Sequence, residues 1–145
     1  MSEFKPMYTA QAQALAGREG RVFSADGHID LALAPPKAMG GSGAGTNPEQ
    51  LFAAGYAACF HSAMLYVARQ QKLDTSGSSV AGHVSIGMNP SGPGFALAVE
   101  LAVALPSLPQ AGAEALVAAA HQVCPYSNAT RGNIPVTLTV TGAPA

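Results

Sequence analysis

Thr46-Asn47-Pro48-Glu49-Gln50, followed by Leu51-Phe-Ala-Ala-Gly-Tyr-Ala-Ala-Cys-Phe-His-Ser-Ala-Met-Leu-Tyr-Val-Ala68, is the stretch on which the fold turns. Asn47 is placed to cap a helix that opens with Pro48, whose missing N–H is one the first turn leaves unused in any case. Glu49 falls in the first turn, where a carboxylate meets the positive end of the helix dipole, and Gln50 takes the third helical position. Phe52, Tyr56, Cys59, Ala63 and Val67 then recur at helical spacing, and Arg69 and Lys72 supply cations at the far end. The spacing predicts one long helix.

From Leu51 to Ala68 there is no Asp, Glu, Lys or Arg, a run of 18 residues that reaches the lower limit for spanning a bilayer. Its composition argues against a span. The run is rich in alanine, is interrupted by Gly55, Tyr56, His61, Ser62 and Tyr66, and has strand-like segments on both sides. A helix buried at the centre of a soluble protein is expected instead.

The whole chain of 145 residues suits one domain, residues 1–145, with a real core. Charged residues are 10% and hydrophobic residues 48%, so the chain must bury surface, and disorder is excluded. Few charges remain to coat a small globule, and a homodimer that covers part of the apolar surface is expected. Seven basic and eight acidic residues, without a basic cluster, leave no footprint for nucleic acid. The first ten residues carry no apolar signal segment, so the cytoplasm is the expected compartment, with no membrane association.

Before the helix, Tyr8 to Ala14, Arg21 to Ser24 and His28 to Leu33 read as a three-strand meander. Its turns lie at Gly17-Arg18-Glu19-Gly20 and Ala25-Asp26-Gly27, which sets Arg18 on a hairpin tip. Pro35 to Gly45 reads as a loop that forms neither helix nor paired strand. Beyond the helix, Ser78 to Met88 and Phe95 to Leu105 alternate around a Pro/Gly-rich turn. Pro109 to Gln122 follows as an alanine-rich helix, and Ile134 to Thr141 as a closing strand. The order is βββα-ββα-β, an α+β domain.

Two cysteines, Cys59 and Cys124, are too far apart in sequence for a zinc-type pair, and the four histidines fall on separate elements, so no metal site is expected. The pair has three readings: two idle buried thiols, a structural disulfide, or a redox pair in which one thiolate reacts and the other resolves the product. Cys59 lies mid-helix among apolar neighbours, where desolvation raises a thiol's pKa and the helix N-terminus is too distant to compensate. A cation from elsewhere is required, and Arg18 and Arg131 are the candidates. Glu49 is placed to orient such an arginine.

Glu49 and Cys59 are ten positions apart, about 15 Å along an unbroken helix, too far for one small site. Either the helix breaks near Gly55, or Arg18 and Glu49 of one protomer complete the pocket around Cys59 of the other; the second is expected. Cys124-Pro125-Tyr126-Ser127 faintly resembles the C-P-Y-C of glutaredoxins, with Ser in place of the second Cys and in the wrong part of the chain. Pro125 takes the chain out of helix geometry and is expected to leave Cys124 on a loop that moves toward its partner thiol.

Gly45 to Ala63 and Val123-Cys-Pro-Tyr-Ser-Asn-Ala-Thr-Arg-Gly-Asn-Ile134, together with the Gly17-Arg18-Glu19-Gly20-Arg21-Val22 turn, resemble the signature blocks of the organic hydroperoxide resistance proteins of the OsmC-like superfamily. The resemblance implies an intertwined homodimer with its long central helix buried against sheets. It implies a thiol peroxidase that reduces organic hydroperoxides, fatty-acid ones included, to alcohols. Cys59 then matches the peroxidatic cysteine, Cys124 the resolving one, Arg18 the thiolate-stabilising arginine and Glu49 its orienting carboxylate. No bound cofactor is implied; the reductant is an external dithiol, dihydrolipoamide or a lipoylated protein. Phe52, Phe60, Met39 and Met64 are candidates to receive an alkyl tail, although each is more ordinarily a core residue. The competing readings are a non-catalytic binder of apolar ligands with the same fold, and a monothiol exchanger built on Cys124.

Overall fold

The computed structural model describes residues 2–145. The chain, expected as one domain, divides into two compact units, one ending at Pro48 and the other running Glu49–Ala145.

In the first unit, β1 (Gln13–Leu15), β2 (Arg21–Phe23) and β3 (Asp30–Ala32) form an antiparallel sheet in that order, with Ala14 opposite Val22 and Val22 opposite Leu31. This is the expected meander with shorter strands. Residues from Tyr8 to Ala12 are exposed and unpaired in any strand, because alternation specifies a strand only where something covers one face. The β1–β2 connection is a single 3-10 turn, Gly17–Glu19, which carries Arg18 as expected. The β2–β3 turn is closed by Asp26, which accepts from the Ser24 hydroxyl (2.6 Å) and the His28 amide (3.0 Å). Arg21 pairs with Asp30 at 2.6 Å and stacks over the Phe23 ring at 4.4 Å. The Pro35–Gly45 loop is not wholly irregular: Lys37–Met39 makes one 3-10 turn, short enough for its prolines to precede it.

The second unit holds the core. Helix α1 (Pro48–Gln71) runs for 24 residues without a break, so the alternative of an interruption at Gly55 is excluded. Strands β4 (Ser79–Met88) and β5 (Phe95–Ala104) pair antiparallel over their full lengths, and β6 (Val136–Thr141) lies parallel to β5 on its other edge. A parallel neighbour needs a crossover, and the segment between β5 and β6 supplies it as α2 (Gln110–Val123) and α3 (Pro125–Thr130). Gln110 ties the start of α2 to the sheet, donating to the Val140 carbonyl (2.9 Å) and accepting from the Gly142 amide (2.6 Å).

One face of α1 (Tyr56, Phe60, Met64, Val67 and Ala68) is buried with Val99, Leu101 and Val103 of β5 and with Ala113, Leu116, Val117 and Ala120 of α2. These positions recur every three or four residues on the helices and every second residue on the strand, as one-sided burial requires. Burying each large aliphatic side chain contributes roughly 1.5–3 kcal/mol. Gly82 lets α1 approach the sheet: a Cβ there would stand 2.7 Å from the Ala53 carbonyl oxygen. By length and composition α1 is apolar enough to cross a membrane. Its buried face instead belongs to the core of this α+β fold. The opposite face, with Ala54, Ala58, Ser62 and Tyr66, is exposed in the single chain.

Candidate active site

Cys59 lies on α1 one turn beyond Tyr56, half-buried, and Cys124 is the fully buried joint between α2 and α3. The two sulfurs, 65 residues apart in sequence, are 3.6 Å apart, with the Cys124 thiol donating toward Cys59. Both are free thiols. Closing them to a disulfide of about 2.0 Å needs a movement of only about 1.5 Å.

The position of Cys124 departs from the expected loop. Its backbone is extended (φ −65°, ψ 123°), so the chain does leave helix geometry before Pro125. Pro125, however, occupies the first turn of α3, where proline is well suited, and a new short helix starts at once. The Cys124 amide still bonds back to Ala120 and its carbonyl accepts from the Asn128 amide, both within 3.0 Å. The thiol is therefore seated in the core at a joint between two helices rather than on an open loop.

Burial pushes the Cys59 thiol above its ordinary pKa, as its apolar setting on the helix leads one to expect. The backbone N–H of Tyr126 opposes this by hydrogen-bonding the sulfur, while the adjacent Cys124 adds to the rise, since two thiols this close resist charging together. Tyr126 also supplies a wall: its ring lies 6.3 Å from Phe52 and 5.7 Å from Tyr56, and its hydroxyl would be 3.0 Å from a Cβ added at Gly55. Gly55 is thus the residue that lets this ring lie against α1.

Behind the thiols, Tyr56 reaches Ser127 (2.8 Å) and Thr130 (3.1 Å), and His121 Nδ1 reaches Ser127 (2.8 Å). His121 is held below the usual histidine pKa by burial and by the nearby Arg131 charge. Arg131, one of the two arginines considered for Cys59, is engaged elsewhere, donating to Asn128 Oδ1 and to the His121 carbonyl. Of the residues considered for an alkyl tail, Phe60 and Met64 are fully buried core and do not line an opening. Phe52 is half-buried beside Tyr126, and Met39 is exposed in the first unit. His61 is tied to Ser78 at 3.0 Å.

Glu49 stands in the first turn of α1, and the unbroken helix keeps it about 15 Å in rise from Cys59. Arg18 belongs to the turn of the first unit. Among the described residues no group of three His, Cys, Asp or Glu is close enough to hold a metal ion. The sequence reading gives no role in the site to Tyr56, Tyr126, His121, Ser127 or Thr130, although Tyr56 falls on the helical spacing of α1 and Tyr126 and Ser127 in the motif that begins at Cys124. The signal for α3 was present in Cys124-Pro125, since proline opens helices as well as ending them.

The family profile described as OsmC-like protein matches residues 40–139. An organic hydroperoxide resistance protein of Xanthomonas axonopodis pv. citri is 56% identical over 94% of this chain and 96% of its own length. The protein OhrB of Bacillus subtilis, of the same description, is 46% identical over 91% of this chain and 96% of its own. The crystal structure of OhrB superposes with a TM-score of 0.85 at 44% identity, covering 94% of this chain and all of the other. An organic hydroperoxide resistance protein of Legionella pneumophila gives 0.89 at 52% identity, covering 94% and 99%. A pair of thiols on this α1–α3 corner, with these relatives spanning nearly the whole chain, places the protein in the OsmC-like family, among the organic hydroperoxide resistance proteins.

Proposed function

We propose that the protein is a two-cysteine peroxidase that reduces organic hydroperoxides to alcohols. The observation that carries the reading is the 3.6 Å approach of Cys124 to Cys59 in the free-thiol state, which makes the resolving step nearly motionless. The Cys59 thiolate attacks the outer peroxide oxygen; the O–O bond breaks, the alkoxide leaves and takes a proton as ROH, and Cys59 becomes a sulfenic acid. The Cys124 sulfur then attacks the Cys59 sulfur, the S–S bond forms, and hydroxide leaves and is protonated to water. An external dithiol of the lipoyl type, free or protein-borne, reduces the disulfide by exchange. No bound cofactor takes part.

Burial raises the Cys59 pKa, so a cation must favour the thiolate and receive the leaving oxygen; Arg18, oriented by Glu49, is that group. Because Glu49 is fixed about 15 Å along α1 from its own Cys59, Arg18 and Glu49 of one protomer serve Cys59 of the other, in a homodimer. A cytoplasmic setting, where thiols are kept reduced, suits the cycle.

The test adds one equivalent of cumene hydroperoxide, or of hydrogen peroxide, to the reduced protein and follows the thiols by mass spectrometry. A stoichiometric Cys59–Cys124 disulfide is expected, faster with the organic peroxide. Survival of both thiols would overturn the reading in favour of a binding protein.

A further inference from the structure

The hydrogen bonds behind the thiols run in one direction. The Thr130 hydroxyl donates to the Ser127 carbonyl at 3.2 Å, so its oxygen accepts from the Tyr56 hydroxyl at 3.1 Å. Tyr56 has spent its one hydrogen and therefore accepts from the Ser127 hydroxyl at 2.8 Å. Ser127 in turn accepts from His121 at 2.8 Å, which makes His121 the Nδ1–H tautomer. Every hydroxyl donates once and accepts once, and Tyr56 and Ser127 are fully buried.

The chain joins three elements. Tyr56 belongs to α1, His121 to the last turn of α2, and Ser127 and Thr130 to α3. Between Cys124 and Ser127 lies Tyr126, whose ring packs on that of Tyr56 at 5.7 Å between centroids. Arg131 closes the far end of the turn onto the His121 carbonyl.

We propose that the hydroxyl chain His121–Ser127–Tyr56–Thr130 is the positioning device of the thiol pair, clamping the 124–131 turn, Tyr126 included, to α1 so that Cys124 stays at bonding approach to Cys59. None of the four touches a reacting atom; they are positioning residues. The proposal deepens the peroxidase reading and rests on it for its consequence in turnover, but the geometry it asserts is measurable without peroxide.

The experiment follows two readouts in Tyr56→Phe, His121→Ala and His121→Asn: the pH dependence of iodoacetamide alkylation mapped to Cys59, and the rate of Cys59–Cys124 disulfide formation with diamide. With the clamp cut, Tyr126 no longer holds the sulfur, and the alkylation midpoint of Tyr56→Phe and His121→Ala moves up by about one pH unit. Disulfide formation in both slows by roughly tenfold, the factor set by the smaller thiolate fraction. His121→Asn, whose side-chain amide N–H replaces Nδ1–H, restores both to near the wild-type values. Wild-type midpoints and rates in His121→Ala, with only thermal stability reduced, would overturn the proposal. That variant is half-buried and decides the matter should Tyr56→Phe fail to fold. If cumene hydroperoxide leaves the wild-type thiols intact, the peroxidase reading falls while these readouts still judge the clamp.

Discussion

The two units of this chain solve the problem of burial differently. The unit from Glu49 onward closes a core of its own, with Leu101, Leu105, Leu116 and Phe60 essentially free of solvent contact. The unit ending at Pro48 does not: Leu15 is 49% exposed, Leu31 41%, and Leu33 is its only buried apolar side chain among the described residues. A three-stranded sheet with apolar residues uncovered has little stability alone. Together with the exposed face of α1, this is the apolar surface that the proposed homodimer would cover. The second unit carries the thiols and the first carries Arg18, so the proposed dimer would draw on both.

The sharpest test of that division is complementation between two inactive variants. Cys59→Ser and Arg18→Ala are each expected to lose turnover, the first completely, while a mixed dimer should regain up to half the wild-type sites. Recovery on mixing, measured as hydroperoxide consumption with a dithiol present, requires Arg18 to act across the dimer. No recovery would place it in the same protomer as its cysteine.

Stability should separate the units next. Leu101→Ala empties a filled core position and is expected to cost about 2–5 kcal/mol in chemical denaturation at every protein concentration. Leu31→Ala should cost less, and its effect should depend on protein concentration if the proposed dimer covers the surface it occupies. An effect independent of concentration would break the comparison.

A smaller change is expected at Gly55. Alanine suits the middle of a helix by about 1 kcal/mol relative to glycine, but here its Cβ meets the Tyr126 ring at 3.0–3.2 Å. The helix should gain while Tyr126 is pushed off the Cys59 sulfur, so Gly55→Ala is expected to alkylate at Cys59 more slowly at pH 7 without losing stability. Unchanged alkylation would mean that the ring yields without moving the amide.

The smallest expected effect is a pH slope. His121 has a lowered pKa in the fold, so the unfolded chain takes up a proton first as the solution is acidified. Stability is then full above the ordinary histidine range, near pH 6.5, and falls with pH until the folded residue also protonates. His121→Asn should flatten this segment of the thermal-stability curve. An identical slope in the variant would assign it to the remaining groups.

Much of this molecule was legible in its residues. Asn47-Pro48 marked the start of α1 to the residue, and the alternation from Ser78 to Met88 and from Phe95 to Leu105 marked both long strands to within one residue, because caps, proline and side-chain period act locally. The raised pKa of Cys59 followed from its apolar neighbours on the same helix. Strand lengths in the first unit were overread, since Tyr8 to Ala12 alternates without a surface to bury against. Helix α3 is hidden in the sequence because Pro125 reads as an ending, whereas in the fold it opens a helix.

What the sequence determined alone is the order of elements other than α3 and the chemical kinds available: two thiols, one on a long apolar helix and one at a proline break. Only the tertiary structure decided that residues 65 apart bring their sulfurs to 3.6 Å, that Cys124 is buried between two helices, and that four polar side chains from three helices link behind it. The physical reason is that caps and periodicity are read over a few residues. The meeting of α1 with α3 depends on how the parallel pairing of β5 with β6 folds the crossover back over the core.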